Sequence, residues 1–236
     1  MQIAIVLYPG LTALDAIGPY EMLKGLENAS VRFVWHETGP IANDRGTLVL
    51  GVTHTFQETL NPDIVLVPGS ENNTLIAATD KKLTDWLQTV YPTARFVTSV
   101  CSGSVVLAAA GLLHGKPATS HWAVLDVLAK FGAIPQPDER IVRSDKIWTA
   151  AGVSAGLDLA LDMIQEIDGQ AAAECVQLMI EYDPQPVLDS GHTSKASPQT
   201  IEKSRQLLSE AAKNPLNKLA IAKLVWRKAI RKARRL

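Results

Sequence analysis

The chain has 236 residues, 47% hydrophobic and 20% charged, with a net charge of −1, which is typical of a folded globular protein of one or two domains. Its longest apolar runs are about ten residues, too short to cross a bilayer, and the segment that begins at Met1 lacks the basic region of a signal peptide. We therefore expect a cytoplasmic location, in which Cys101 and Cys175 are reduced thiols.

The first third of the chain alternates strand-like apolar runs with a helical pattern. Residues 2–8 (QIAIVLY) predict a buried strand that ends at a Pro-Gly pair. Residues 11–26 have the apolar spacing of a helix, which Gly18 and Pro19 should interrupt or restart. Further strands are predicted at 30–37 (SVRFVWHE), 47–56 (TLVLGVTHTF) and 63–69 (DIVLVPG).

The middle of the chain continues the same alternation. Residues 79–91 predict an amphipathic helix with Asp80 as its N-cap. A strand at 95–100 (RFVTSV) leads into a helix over about 102–110. The remaining predictions are a helix at 120–131, two short strands within 140–150 around a Ser-Asp-Lys turn, and helices at 154–168 and 169–182.

This order of elements predicts the architecture. Strands that are apolar throughout and alternate with helices favour a parallel sheet covered on both faces. We expect an α/β, doubly wound domain over residues 1–189, with residues 183–198 as a Pro-, Ser- and Gly-rich connector. Residues 190–236 then form the connector and a basic helical C-terminal extension.

The C-terminal extension carries an uneven charge. Residues 190–236 contain 12 Lys/Arg and 2 Asp/Glu, so the remainder of the chain is acidic. The stretch at 223–236 (KLVWRKAIRKARRL) could bind nucleic acid or a membrane surface. We favour a solvated helix with one apolar stripe on the acidic body, because clustered charge is usually a solvated face. The expected stripe consists of Leu219, Ile221, Leu224, Val225 and Ile230.

Cys101 stands where a predicted strand ends and a helix begins, followed by the small residues Ser102, Gly103 and Ser104. Open α/β sheets bind ligands at the carboxyl ends of their strands, and a nucleophile on a sharp turn needs small neighbours. The N-terminus of the following helix would favour the thiolate and could stabilise developing negative charge. Cysteine is also a common core residue, but this context favours a nucleophile.

A nucleophilic thiol needs a partner that moves protons. Asp15 is the strongest candidate, because TALDAIGP places an acid inside an apolar run just after the first strand; a capping or solvated aspartate is the alternative. Glu21 is more typical of a solvated helix residue, Asp63 is a further carboxylate near a strand, and Cys175 fits an apolar helix core. The histidines, none of which has metal-ligand spacing, are His36, His54, His114, His121 and His192.

Four segments together resemble the ThiJ/PfpI superfamily, which has the class I glutamine amidotransferase-like fold. They are LDAIGPYEML (14–23), DIVLVPG (63–69), VTSVCSGSVVLAAAGLLHGKPATSHW (97–122) and YDPQPVLDSG (182–191). The resemblance covers about residues 1–190 and is greatest to the isocyanide hydratases. It implies a flavodoxin-like fold, a homodimer, and hydration of a small isocyanide to a formamide without a metal or other cofactor.

The resemblance also implies roles for individual residues. Cys101 corresponds to the nucleophile and Asp15 to the general acid and base. Ser102 stands where these relatives usually have threonine, so a hydroxyl is kept and a methyl group is lost. Gly69 and Ser70 correspond to backbone donors for an oxyanion. The supporting positions are His121 and Gly152.

Other functions within the superfamily fit less well. The protease branch has histidine directly after the cysteine, where this chain has Ser102. The transcription regulators carry a helix-turn-helix domain, for which residues 191–236 are too few. A redox sensor that uses an exposed Cys101 of low pKa stays open, whereas membrane association and nucleic-acid binding are not expected.

Overall fold

Strands alternate with helices along most of the chain in the computed structural model, which describes residues 1–211, 213 and 215–233. The strands are β1 Gln2–Val6, β2 Ser30–Trp35, β3 Gly39–Ala42, β4 Val49–Val52, β5 His54–Thr55, β6 Ile64–Val67, β7 Phe96–Ser99, β8 Pro117–Ala118, β9 Ile134–Pro135, β10 Ile141–Ser144 and β11 Ile147–Ala150. The helices are α1 Ala13–Leu23, α2 Thr74–Thr79, α3 Lys81–Val90, α4 Gly103–Ala109, α5 Leu125–Lys130, α6 Ala155–Asp168, α7 Gln170–Met179, α8 Pro198–Ala211 and α9 Pro215–Ala233.

The central sheet orders seven strands, within the described residues, as β10-β11-β7-β6-β1-β2-β5. Every neighbouring pair in it is parallel except β10 and β11, which form the predicted hairpin. β6 and β7 are buried along their whole length, as expected when helices cover both faces of a parallel sheet. The predicted flavodoxin-like α/β architecture is confirmed.

Helices cover this sheet in two groups, one formed by α1, α6 and α7 and the other by α2, α3, α4 and α5. The N-cap prediction for α3 is confirmed, because the Asp80 side chain accepts a hydrogen bond from the Leu83 N–H at 2.8 Å. The predicted strand at 47–56 is divided in two, since β4 pairs with β3 outside the central sheet while β5 pairs with β2.

The prediction that Gly18 and Pro19 interrupt the first helix is wrong. α1 runs through both residues, and both are buried. The proline removes one backbone donor, but the close packing of α1 on α6 accommodates it: an added Cβ at Gly156 would lie 3.1 Å from the Pro19 ring. Tertiary packing therefore outweighs the local preference against proline in a helix.

The C-terminal segment follows a connector, residues 180–197, that contains neither helix nor strand. α9 packs on α2, and Asn217 donates a hydrogen bond to the Asn72 carbonyl at 2.8 Å. The predicted apolar stripe is wrong in detail, because the buried side chains of α9 include Ala220 and Leu224, four residues apart on one face. Three predicted members are at least half exposed: Leu219, Ile221 and Val225.

The side chain of Ile230 lies outside the described residues, as do those of the basic segment from 226 onward. The boundary between a domain at 1–189 and an extension at 190–236 therefore stays a prediction. Among the residues that the structure describes, no helix is both long enough and apolar enough to span a membrane.

Candidate active site

Cys101 occupies a strained turn between β7 and α4. Its φ is +57°, a left-handed conformation that non-glycine residues adopt at a cost of about 1–2 kcal/mol. The Cys101 N–H donates to the Ala151 carbonyl at 2.8 Å, which ties the turn to the end of β11. An added Cβ at Gly103 would lie 2.1 Å from the Val67 carbonyl oxygen, so glycine is needed where α4 approaches β6. The predicted sharp turn is confirmed.

Asp15 lies in the first turn of α1 and is fully buried. Its Oδ2 accepts a hydrogen bond from the Gly69 N–H at 2.8 Å, while Oδ1 has no hydrogen-bond partner among the described residues. Burial raises the pKa of Asp15 from 3.8 to about 7, against the lowering effects of the Gly69 and Cys101 hydrogen bonds. The main cause of this upward shift is desolvation of the carboxylate.

Cys101 is 6% exposed, and the pKa of its thiol is raised well above the usual value. The largest cause is burial, followed by the negative charge of Asp15, whereas hydrogen bonds from the Ser102 backbone and side chain lower the pKa. The expectation of a thiolate stabilised by the α4 N-terminus is therefore wrong in direction. The alternative of a redox sensor required an exposed cysteine of low pKa. That premise is wrong as well, because desolvation outweighs the donors at the helix end.

Ser102 belongs to a buried network of hydroxyl groups. Its Oγ lies 2.6 Å from Thr74 Oγ1 and 3.0 Å from the Ser70 N–H that donates to it, and 3.1 Å separates it from the Ser70 carbonyl oxygen. The Ser70 N–H also donates to Thr74 Oγ1 at 2.9 Å. The N–H groups of Gly69 and Ser70, expected as oxyanion donors, are thus engaged with Asp15, Ser102 and Thr74. No sequence motif singled out Thr74.

His121 and Gly152, the predicted supporting positions, lie close together. An added Cβ at Gly152 would be 3.4 Å from His121 Cδ2. Nδ1 of His121 accepts a hydrogen bond from the Ala123 N–H at 3.3 Å, and burial lowers the pKa of the imidazole. Next to it, Ser120 Oγ donates to the Cys101 carbonyl at 3.0 Å. This segment therefore supports the cysteine turn with a histidine that favours its neutral form.

Cys101 and Ser102 line a cavity of about 590 Å³, within the range of about 300–1,000 Å³ usual for small-ligand sites. His121 also lines it, whereas Asp15 does not line it and has no exposed surface. One wall comes from α8, through Arg205, Leu208 and Ser209. The sequence did not predict this wall, since α8 follows the connector and has no motif of its own.

The other candidate residues lie elsewhere. Glu21 pairs with Lys24 at the surface, as predicted for a solvated residue, and Asp63 accepts a hydrogen bond from the Gln2 N–H at the opposite end of β1. Cys175 is exposed, which contradicts its assignment to the core. α7 turns Ala173 and Val176 inward and Cys175 away from them.

The other histidines of the described chain line no part of this cavity. They are His36, His54, His114 and His192. Among the described residues, no group of three or more His, Cys, Asp or Glu side chains could hold a metal ion.

The model of the DJ-1/PfpI family matches residues 1–166. The chain belongs to the DJ-1/PfpI family. Within this family it is 39% identical over 226 residues to an isonitrile hydratase of Pseudomonas putida, with 95% of this chain and 98% of that protein covered.

Solved structures agree with the family assignment. A ThiJ/PfpI family protein from Pseudomonas syringae is 40% identical, with a TM-score of 0.86 over 94% of this chain and 90% of that one. Drosophila melanogaster DJ-1beta, 18% identical, has a TM-score of 0.70 over 76% of this chain and 97% of its own. At that identity the likeness shows the fold alone, and about a quarter of this chain has no counterpart in DJ-1beta.

Proposed function

We propose that this protein hydrates isocyanides to N-substituted formamides, with Cys101 as nucleophile and Asp15 as general acid and base. The observation that carries the proposal is the pair of buried residues Cys101 and Asp15 at a ligand-sized cavity, which Cys101 lines. The 39% identity to an isonitrile hydratase over nearly the whole chain supports the substrate class. The reaction requires no metal, nucleotide or organic cofactor.

In the first step the sulfur of Cys101 bonds to the terminal carbon of the isocyanide. Because the thiol pKa is raised, the thiol needs a base at the moment of attack, and Asp15 is the buried carboxylate whose charge acts on it. Asp15 accepts the thiol proton and returns a proton to the isocyanide carbon. The product is a thioimidate in which carbon carries the sulfur, one hydrogen and a double bond to nitrogen.

In the second step water adds to the thioimidate carbon. Asp15, again ionised, accepts a proton from the water, and a proton passes to the substrate nitrogen as the carbon–nitrogen double bond becomes single. The tetrahedral intermediate then collapses, breaking the carbon–sulfur bond and forming the formamide carbonyl. The departing sulfur recovers its proton, so the sum of the reaction is addition of one water. An acid with a pKa of about 7 suits both proton transfers.

The remaining site residues position these groups. The Gly69 N–H fixes the Asp15 carboxyl, and the Ser70 N–H fixes the Ser102 hydroxyl. We assign to Ser102 the task of holding the attacking water or the developing charge at the cavity wall, through its hydroxyl. His121 shapes the wall beside Cys101 as a neutral imidazole.

The test is formamide production from a simple alkyl or aryl isocyanide by the wild-type protein, Cys101→Ala and the matched control Cys175→Ser. We expect turnover by the wild type and by Cys175→Ser, whose thiol is exposed, and none by Cys101→Ala. Turnover that survives in Cys101→Ala would refute the mechanism. A wild-type protein without any turnover would refute the substrate class.

The expected homodimer remains a proposal, supported by exposed apolar side chains at the end of α7. Leu178 is 77% and Met179 is 82% exposed, a pattern found at protein interfaces. Light scattering of the purified protein would measure the mass. The double variant Leu178→Ser/Met179→Ser should shift it toward the monomer, and an unchanged mass would exclude this surface.

A further inference from the structure

The active-site cavity has a wall that comes from outside the residues matched by the family model. Arg205, Leu208 and Ser209 of α8 line the same cavity as Cys101, whereas the family model matches only residues 1–166. Chemistry shared by a family resides in the common part of the chain, so a wall added beyond it is suited to selecting the substrate. In the proposed reaction, the part of the substrate free to vary is the substituent on nitrogen.

Arg205 is the charged member of this α8 wall. Its guanidinium carbon lies 5.8 Å from the centre of the Trp122 ring, within the range of a cation–π contact. Among the described residues, Arg205 forms no ion pair. A guanidinium beside an aromatic ring keeps N–H groups free at its edge, in a fork that matches a carboxylate.

The carboxylates that line the cavity differ in the partners that they contact. Glu71 pairs with Arg45 at 2.9 Å, and Asp44 accepts a hydrogen bond from the Thr12 hydroxyl at 2.8 Å. Asp126 lies in the first turn of α5 and, like Arg205, is exposed to solvent, which screens both charges. Among the described residues that line the cavity, Arg205 is therefore the cation that contacts no carboxylate.

We propose that Arg205 selects isocyanides whose N-substituent carries a carboxylate. This inference rests on the proposed isocyanide hydration and specifies its substrate class. The Cys101 sulfur engages the isocyanide carbon, the substituent packs beside Trp122 and Leu208, and its carboxylate accepts hydrogen bonds from the Arg205 guanidinium. The negative charge of Asp126, which lines the same cavity, disfavours a bound anion and therefore reduces the preference for a carboxylate-bearing substrate.

The first experiment compares the kcat/KM values of 4-isocyanobenzoate and its neutral methyl ester. The wild type should prefer the carboxylate by roughly tenfold or more, the range expected for hydrogen bonds to a charged group. Arg205→Gln should reduce this ratio roughly tenfold, and Arg205→Lys should retain part of it. Lys203→Gln, a change of an exposed cation on the same helix outside the cavity, should leave the ratio unaltered, and Asp126→Asn should raise it.

The second experiment does not depend on turnover. Binding of the formamide product, 4-formamidobenzoate, is measured by calorimetry with the wild type, Arg205→Gln and Lys203→Gln. Weaker binding only in Arg205→Gln supports the anion site, even if no isocyanide is hydrated and the proposed reaction fails. The inference would be overturned if the wild type preferred the ester or 4-(aminomethyl)phenyl isocyanide. It would also be overturned if Arg205→Gln left both the kcat/KM ratio and the product affinity unaltered. Either result would leave isocyanide hydration intact.

Discussion

The backbone N–H of Gly69 donates a hydrogen bond to Oδ2 of Asp15 at 2.8 Å. The two residues are 54 positions apart in the chain, but β1 and β6 are parallel neighbours. Their carboxyl ends therefore meet at one edge of the sheet, where ligands bind in open α/β folds. This hydrogen bond favours the ionised carboxyl group and opposes the effect of burial. The balance leaves the Asp15 pKa at about 7, where the group can both accept and donate a proton near neutral pH.

Replacing Asp15 with asparagine should remove the proton transfer while preserving the shape of the side chain. The amide oxygen can still accept from the Gly69 N–H, so the fold is retained. We expect kcat/KM for isocyanide hydration to fall by about 10²–10⁴, the usual contribution of general acid–base catalysis. In the wild type, kcat/KM should rise as pH increases through about 7, because in the proposed mechanism Asp15 must be ionised to accept the thiol proton.

The measurement is a pH–rate profile of the wild type, Asp15→Asn and the surface control Glu21→Gln. The control should reproduce the wild-type profile, and Asp15→Asn should lack its acidic limb. An Asp15→Asn enzyme that keeps more than about a tenth of wild-type activity would contradict the acid–base role.

The same carboxyl group should make stability depend on pH. The pKa of Asp15 is 3.8 when unfolded and about 7 when folded, so between these values the folded state binds the proton more tightly. The free energy of unfolding should therefore decrease as pH rises from about 4 to 7, by at most about 4 kcal/mol from this group. Below the unfolded pKa this stabilisation is fully present, and above pH 7 it is lost.

Urea unfolding of the wild type and Asp15→Asn at several pH values between 4 and 7.5 isolates this effect, because the other groups contribute to both proteins alike. The stability of the wild type relative to the variant should decline across this range. If the two stability curves run parallel, Asp15 does not have a raised pKa in the folded protein.

The sequence pointed to Cys101 and Asp15 as candidate partners, whose catalytic roles stay a proposal, but it did not predict the energetics of their site. Cys101 and Asp15 each follow a buried strand that the sequence predicts. β6 and β7 could be recognised because strands that are buried along their whole length are continuously apolar. The pKa of the thiol could not be predicted, because it depends on how much surface distant segments cover. The N-terminus of α4 suggested a lowered pKa for the Cys101 thiol, whereas burial raises that pKa.

Features that depend on tertiary contacts were missed for the same reason. The orientation of Cys175 depends on which face of α7 meets the core, and its neighbours in sequence are apolar on several sides. The cavity wall that includes Arg205 depends on how the connector places α8 against the rest of the chain. Thr74 carries no motif and is recognised only by its 2.6 Å contact with Ser102.

Changes at Ser102 should separate its hydroxyl from its size. Ser102→Ala removes the contact with Thr74, but the Ser70 N–H keeps its bond to Thr74 at 2.9 Å, so the loss of stability should be about 1 kcal/mol. We expect kcat to fall roughly tenfold, because the hydroxyl to which the proposal assigns the water or the developing charge is gone. Ser102→Thr keeps the hydroxyl and should retain turnover while changing the relative rates for small and bulky isocyanides.

Steady-state kinetics with methyl and cyclohexyl isocyanide measure both effects, and Ser30→Ala, at an exposed serine, is the control. Equal kcat values for the wild type and Ser102→Ala would show that the hydroxyl has no part in the reaction.

Gly69→Ala should damage both the fold and the site, because no space exists for a side chain. An added Cβ would lie 2.5 Å from Ser102 Oγ, 2.6 Å from the Ser102 backbone nitrogen and 3.0 Å from Asp15 Oδ2. The backbone contact cannot be relieved by a rotamer change, so we expect a loss of about 1–3 kcal/mol in the free energy of unfolding. Isocyanide hydration should fall as well, since Asp15 and Ser102 must both shift.

Gly51→Ala is the matched control, because an added Cβ there meets no atom within 4 Å. Its stability should stay within about 0.5 kcal/mol of the wild type, measured by urea unfolding under the same conditions. The comparison separates the close approach at Gly69 from the general effect of replacing a glycine with alanine. If Gly69→Ala were as stable and active as Gly51→Ala, the backbone at Gly69 would not pack against Ser102 and Asp15 as described, and the positioning role of its N–H would fail with it.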